Sequence, residues 1–315
     1  MNKASQTHRQ FIENCEDILK KQSDVSINDA ALQAFAQTLK KSSFVPDWQE
    51  YISPAANNAA LYDFTRAFYE LAMITAQNGG FIYEDDAGHA QKWGKDGSGA
   101  KAMVEKMGEI RDATALPFYD LVPDGVEDKI APLLAGVPFA EKRLKIFKEF
   151  ADPANHKKAA ALLANAYDGT AYKLDMDFVK HLADIFPEGL GNDPFFKKAT
   201  LTALMLAGNG QHHGVKTDVS DLTIAADYIL PQVLNADHVG ILSFSADLTK
   251  DLEDKKLLGE NNAKVAALRA AAVVVCDRLA NLSGLSAQDI DAALWLAGRK
   301  IKDARPHMMC KTMRF

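Results

Sequence analysis

DLTIAADYILPQVL, residues 221–234, sets one carboxylate, Asp227, inside an apolar run and follows it with a proline. Leu222, Ile224, Ile229, Val233 and Leu234 call for burial, whereas Asp227 carries a large desolvation cost unless something compensates it. Pro231 lies four residues further on. It has no N–H to return to the Asp227 carbonyl, and it steers Leu230 away from helical geometry. The pattern predicts a helix over about 219–229 that ends on an acid facing a cavity. A lone carboxylate so placed suits the stabilisation of developing positive charge. The same spacing also fits a capping or turn aspartate satisfied by backbone amides.

Helical periodicity extends outward from this stretch. Phe11, Cys15, Ile18 and Leu19 share a face over residues 5–21. Ser26 with Asp29 has the spacing of a capping box ahead of a helix carrying Leu32, Phe35 and Leu39. A long helix from about residue 58 carries Leu61, Phe64, Phe68, Leu71 and Met73 up to Asn78-Gly79-Gly80. Further helices are expected near 99–112, 124–135, 139–151, 155–167, 175–186, 194–207, 247–257, 262–282 and 287–297, separated mostly by Gly and Pro. One β signal stands out in GGFIYEDDAGHAQKWGKDG, residues 79–97. Phe81 and Tyr83 alternate, Asp86-Ala87-Gly88 turns, and Gln91 to Trp93 return as a second strand. With no repeat or polar linker, residues 1–315 read as one all-α, mainly helical domain bearing a small β-hairpin.

Composition narrows the partners. A net charge of −6 offers no general basic field for duplex DNA or an acidic membrane, so a nucleic-acid polymer is not expected as a ligand. A single nucleotide needs only a local basic patch. Arg299, Lys300, Lys302, Arg305, His307, Lys311 and Arg314 crowd the last stretch, either as a solvated tail or as the border of an anion site. Cys15, Cys276 and Cys310 show no pairing or CxxC spacing, which fits a reducing cytosol. MNKASQTHRQF has no apolar core, and the longest apolar stretches contain Arg and are too short to span a bilayer. The expectation is a soluble, cytoplasmic protein with no membrane partner; its oligomeric state is not read from the sequence.

Several stretches carry a family likeness in a fixed order. They are RQFIENCEDI (9–18), HLADIFPEG (181–189), FFKKATLTALML (195–206), LTIAADYILPQVL (222–234), ALRAAAVVVCDRL (267–279), IDAALWLAG (290–298) and RPHMMCKTMRF (305–315). Together they resemble the queuosine salvage protein family from Arg9 to Phe315, thinly between residues 75 and 115. The resemblance implies a queuosine 5′-phosphate N-glycosylase/hydrolase that releases queuine. It also implies a fold similar to helix-hairpin-helix DNA glycosylases and a reaction without metal or organic cofactor. Asp227 matches the acid to which the family assigns catalysis, and Asp291 matches one that helps hold the base.

The chemistry agrees with these assignments. Breaking a ribosyl C–N bond builds positive charge on the sugar, which an adjacent carboxylate stabilises or attacks. A 7-deazapurine has carbon in place of N7, so protonation there is denied and more of the barrier is lowered on the sugar side. Guanine-like edges and a cationic amine both suit Asp291, although an acid in a first helical turn is also favoured by the helix dipole alone. Lys197 and Lys198 open a helix, where cations run against the dipole unless an anion is near; they match a basic pair in the family and are the candidates for the 5′-phosphate. Two lysines there also fit a solvated face. His307 is a weaker candidate of the same kind. Simple hydrolysis by water is preferred to a lysine Schiff base, because Lys216, the nearest upstream lysine, falls in a loop.

The chain departs from the family pattern where Ala225 and Ala292 replace aromatics, Leu296 replaces an acid after Trp295, and Glu50 replaces a His near Trp48. Lost stacking is worth roughly 1–3 kcal/mol per base. Tyr228, Trp93 or Phe81 are available to compensate; otherwise the substrate differs, or the protein binds a nucleoside without turning it over. Other motifs fade. GKDGSGAKA (94–102) resembles a phosphate loop, but no Ser or Thr follows Lys101, and a plain loop with Ser98 as helix cap is preferred. His212-His213 lacks metal-ligand spacing, and Glu84, Asp85 and Asp86 read as a hairpin turn.

Overall fold

The computed structural model describes residues 4–39, 51–53, 62–85, 89–95, 98–298 and 305–315. Trp48, Glu50, the Asp86-Ala87-Gly88 turn, and Arg299, Lys300 and Lys302 lie outside these residues. So do residues 58–61, where the third helix was expected to start.

Three helices are buried on nearly every side and form the centre. They are α3 (Phe64–Gln77), α9 (Lys197–His212) and α12 (Ala263–Ser283). The stretch LRAAAVVVC makes α12 apolar all round, whereas α3 and α9 bury polar side chains such as Glu70, Thr75, Thr200 and Thr202 among their apolar ones. Amphipathic helices sheathe them. α6 (Ala140–Ala151), α7 (Pro153–Ala166) and α8 (Met176–Ile185) lie with α3 and α9 on one side. On the other side α1 (Gln6–Lys20), α2 (Asp29–Thr38), α10 (Ile229–Asn235) and α13 (Ala287–Gly298) pack on α12. α4 (Gly99–Thr114) touches α3 and α5 (Val126–Ile130), and α11 (Ala246–Glu253) lies between residues 242–244 and 257–259 in sequence. One cluster of buried side chains runs through both sides.

Polar caps define the helix starts. Ser5, Asn28, Asp63, Asp152, Asp175, Ser245 and Asn262 each accept a bond from a first-turn amide. For α2 the cap is Asn28 rather than the anticipated Ser26, because Ser26 belongs to a strand. The expected helix over 124–135 breaks at Pro132 into α5 and a 3-10 turn. After α8 the chain makes a π-turn over residues 187–191, whose Glu188 and Gly189 amides both donate to Glu149 at 2.9 Å.

The two expected strands do pair, β2 (Ile82–Glu84) antiparallel to β3 (Ala90–Lys92). Three further pairs were not expected. Strand β1 (Val25–Ile27) runs antiparallel to β6 (Leu242–Phe244), while β4 (Tyr172–Lys173) is parallel to β5 (Thr217–Asp218) and β7 (Leu257–Gly259) to β8 (Met309–Lys311). Each joins distant segments over two or three residues, too few for alternation to register in the sequence. The fold remains mainly helical.

The helix predicted over 219–229 is absent. Residues 221–228 run as irregular chain, and α10 starts after Asp227. Pro231 therefore sits in the first turn of a helix, where a missing N–H costs nothing, instead of ending one. Asp227 Oδ1 accepts from the amides of Ile229 (2.8 Å) and Leu230 (3.2 Å), so the carboxylate marks a helix beginning.

Candidate active site

A cavity of about 1100 Å³, counted out to its open mouth, lies where α9, α10 and α13 meet. Each element contributes one face. On α13, Gln288, Asp291, Ala292 and Trp295 follow i, i+3, i+4, i+7 spacing, and on α9 Lys197, Leu201, Leu204 and Met205 follow i, i+4, i+7, i+8. The irregular segment adds Ala225, Asp227 and Tyr228, and Tyr51, Phe81 and Phe315 complete an aromatic wall.

Asp227, Asp291 and Lys197 thus converge from three separate segments. One Asp227 oxygen is fixed by the two α10 amides, and among the described residues the other has no protein partner. Asp291 Oδ1 accepts from the Ala225 amide at 3.3 Å. Burial and the nearby Asp227 charge push its carboxyl up to about 7, against a smaller downward pull from that amide and Lys197. Lys197 is buried at 6% exposure, and its ammonium makes no hydrogen bond among the described residues. Burial lowers its pKa, while Asp227, Asp193 and Asp291 oppose that fall and Arg269 adds to it. Two acids in different environments beside one unspent cation make a site suited to a substrate with both cationic and anionic character.

Behind the cavity Arg269 and Asp193 form a fully buried ion pair with two bonds of 2.7 Å. Burial opposes the charge on Asp193, but Arg269 and the Lys197 and Phe195 amides outweigh it and hold the carboxyl below its usual range.

The two neighbouring lysines part company. Lys198 does not reach the cavity; its ammonium donates to the Ala76 carbonyl at 2.5 Å and ties α9 to the end of α3. Adjacent helical residues point about 100° apart, so they cannot act as a pair on one ligand. Burial, with Arg143 and Lys197 nearby, drives the Lys198 pKa well down. Both lysines are buried, which also removes the solvated-face reading. His307 does not line the cavity. Its Nδ1 meets the Met308 carbonyl at 3.0 Å, and its ring lies 4.5 Å from Tyr228, above which the Lys92 ammonium sits on the ring face.

Of the departures, Ala225 and Ala292 do line the cavity, and Leu296 does not. Phe81 and Tyr228 supply ring surface there, with Trp93 stacked behind Phe81 at 6.5 Å. Tyr51, Phe315 and Gln288 were missed in the sequence. Only Gln288 left a signal, one helical turn before Asp291 on the same face. Ser98 occupies the N-cap position of α4 as expected, but its hydroxyl donates to the Lys95 carbonyl and accepts from no first-turn amide. His213 stacks on Tyr62 at 3.8 Å, and among the described residues no three His, Cys, Asp or Glu side chains gather as a metal site would require. Nor is any described helix long and apolar enough to cross a membrane.

Fold and site together define a mainly helical protein with an acid pair and a buried lysine around an aromatic-walled cavity. The sequence matches the queuosine salvage protein family over residues 133–314, more than half of the chain, and the protein belongs to that family, with a role in queuosine salvage. α9, α10, α12 and α13, with Asp227, Asp291, Lys197 and Arg269, all fall inside the matched region. A search of curated proteins gives no match.

Proposed function

We propose that the cavity hydrolyses the N-glycosidic bond of queuosine 5′-phosphate, or of a close 7-deazaguanine nucleotide, to queuine and ribose 5-phosphate. The carrying observation is the convergence of Asp227, Asp291 and Lys197 on one aromatic-walled hollow. Asp227 acts on the sugar. Its anchored oxygen leaves the other to face the anomeric carbon, where it stabilises the cation that grows as the C–N bond lengthens. Water adds its oxygen to that carbon, and the base leaves with the bonding pair and takes up a proton. Because a deazapurine lacks N7, this sugar-side stabilisation carries most of the catalysis.

Asp291 takes the base. A carboxyl near neutrality accepts N–H donors of a guanine-like edge or the secondary ammonium of the queuine side chain, and such donors draw out its proton. Gln288 also lines the cavity, and its side-chain amide nitrogen donates to the Leu204 carbonyl at 3.3 Å. Lys197 supports the phosphate, for which its unspent ammonium is the cation at hand.

The test is incubation of the purified protein with queuosine 5′-phosphate while free base is followed by chromatography. Base release that drops at least about a hundredfold in Asp227→Asn supports the reading. Full activity in that variant, or thermal-shift binding with no release by the wild type, removes it.

A further inference from the structure

We infer that Arg269 is a positioning residue that sets Asp227 and Lys197 against each other across the cavity; this rests on the catalytic reading of Asp227 above. Arg269 is 2% exposed and does not line the cavity, so it touches no substrate. Its guanidinium fork is nonetheless spent on the two segments that do. Nε donates to the carbonyl of Ala226, the residue before Asp227, at 3.0 Å. The two terminal nitrogens donate to the two oxygens of Asp193 at 2.7 Å. Those same oxygens accept from the Phe195 amide at 3.2 Å and the Lys197 amide at 2.9 Å, which fixes the first residue of α9. Phe195 and Phe315 clamp the guanidinium plane at 4.4 and 4.2 Å, and Phe315 is itself cavity wall.

One rigid plane therefore connects Ala226, Asp193, Lys197 and Phe315. The segment 221–228 has no helix or ladder of its own to set its course, so the Arg269 bond to Ala226 stands in for one. Stability alone explains the pair poorly. A buried ion pair loses to desolvation much of what it gains by attraction, and apolar replacements of similar volume are often neutral. A planar five-donor fork offers angles, which a lysine ammonium cannot reproduce.

Two variants test this. Arg269→Lys retains charge for Asp193 but cannot reach Ala226 in the same geometry. Its kcat should fall roughly ten- to a hundredfold with KM within about threefold, as expected when a reacting group is displaced by an ångström or less. In an Asp227→Asn background the same change should cost under about twofold, since Arg269 acts through Asp227. An equal loss in both backgrounds, or unchanged kcat, overturns the inference. The double variant Asp193→Asn/Arg269→Met keeps the packing volume and, through the one amide oxygen, an acceptor for the Lys197 amide, without the fork. Its crystal structure should show residues 224–228 displaced while α12 stays in place. An unmoved Asp227 overturns the inference whatever the turnover, whereas a wild type that releases no base counts only against the hydrolase reading.

Discussion

The Ala225 amide donates to Asp291 Oδ1 at 3.3 Å and thereby laces the segment carrying the catalytic candidate to the helix carrying the base-binding one. That single bond does not offset the burial of Asp291, whose carboxyl titrates up to about 7. An unfolded aspartate loses its proton near pH 4, so between about pH 4 and 7 the native protein binds more protons than the unfolded chain. Stability consequently falls as pH rises through that window and levels off above it. Asp291→Asn keeps an acceptor for Ala225 and removes the ionisation. Its melting temperature should exceed that of the wild type by a few degrees at pH 8 and converge with it near pH 4, while base binding weakens at least tenfold. Scanning calorimetry across pH, with titration of queuine, checks both.

Asp227 combines a cap with the proposed reactive carboxylate, and two substitutions separate them. Asparagine retains an acceptor for the Ile229 and Leu230 amides, and alanine does not. Asp227→Asn should unfold within about a degree of the wild type, whereas Asp227→Ala should lose about 1 kcal/mol, the usual worth of a helix cap. Both should lose base release equally. An alanine variant as stable as the asparagine one would show that the cap carries no weight.

Lys197 and Lys198 are adjacent in the chain but differently placed, one lining the cavity and the other bonded to the Ala76 carbonyl. Lys197→Met deletes a buried ammonium that faces the cavity with no protein partner among the described residues, so the fold should not suffer. Its effect should appear in substrate choice. The ratio of kcat/KM for nucleotide over nucleoside should drop roughly ten- to a hundredfold, the worth of one charge-assisted bond to phosphate. Lys198→Met instead leaves the Ala76 carbonyl unsatisfied, costing about 1–3 kcal/mol of stability with that ratio within about twofold of the wild type. A loss of nucleotide preference in Lys198→Met would reverse the assignment.

This difference marks where the sequence stops being legible. The lysine pair reads as a unit in one dimension, but a helix turns about 100° per residue and sends the two in different directions. The helices α1, α6 and α8 were readable because each buries one stripe, and the hairpin because its turn residues sit between alternating runs. Residues 221–228 were misread as helix because their apolar spacing suits one, while the contacts they make instead come from residues distant in sequence, His8, Arg269 and Asp291. Asp227 and Asp291 were accessible as acids in apolar surroundings with a family likeness. Tyr51 and Phe315 join the wall only through tertiary packing, which no local pattern encodes.

His8 gives the last prediction, at the start of the same segment. Its Nδ1 meets the Asp221 carbonyl at 3.0 Å and its Nε2 meets Asp277 Oδ1 at 2.9 Å, so both ring nitrogens act as donors when the ring is charged. Asp221 Oδ1 lies 3.5 Å from Nδ1, its Oδ2 is buried without a partner among the described residues, and Arg9 and Glu13 border the same hollow. Burial pulls the imidazole pKa down, but the Asp277 bond and charge with the Asp221 contacts outweigh it and leave the value raised above 6.5. The sign follows from linkage: the charged ring stabilises the fold fully below about pH 6.5, and that contribution is lost as pH climbs through the raised native value. This window lies above the one set by Asp291, so the two separate in a pH series. His8→Gln should lower the melting temperature at pH 6 by a few degrees and flatten its decline above about pH 6.5. A variant that keeps the full decline would assign it to another group.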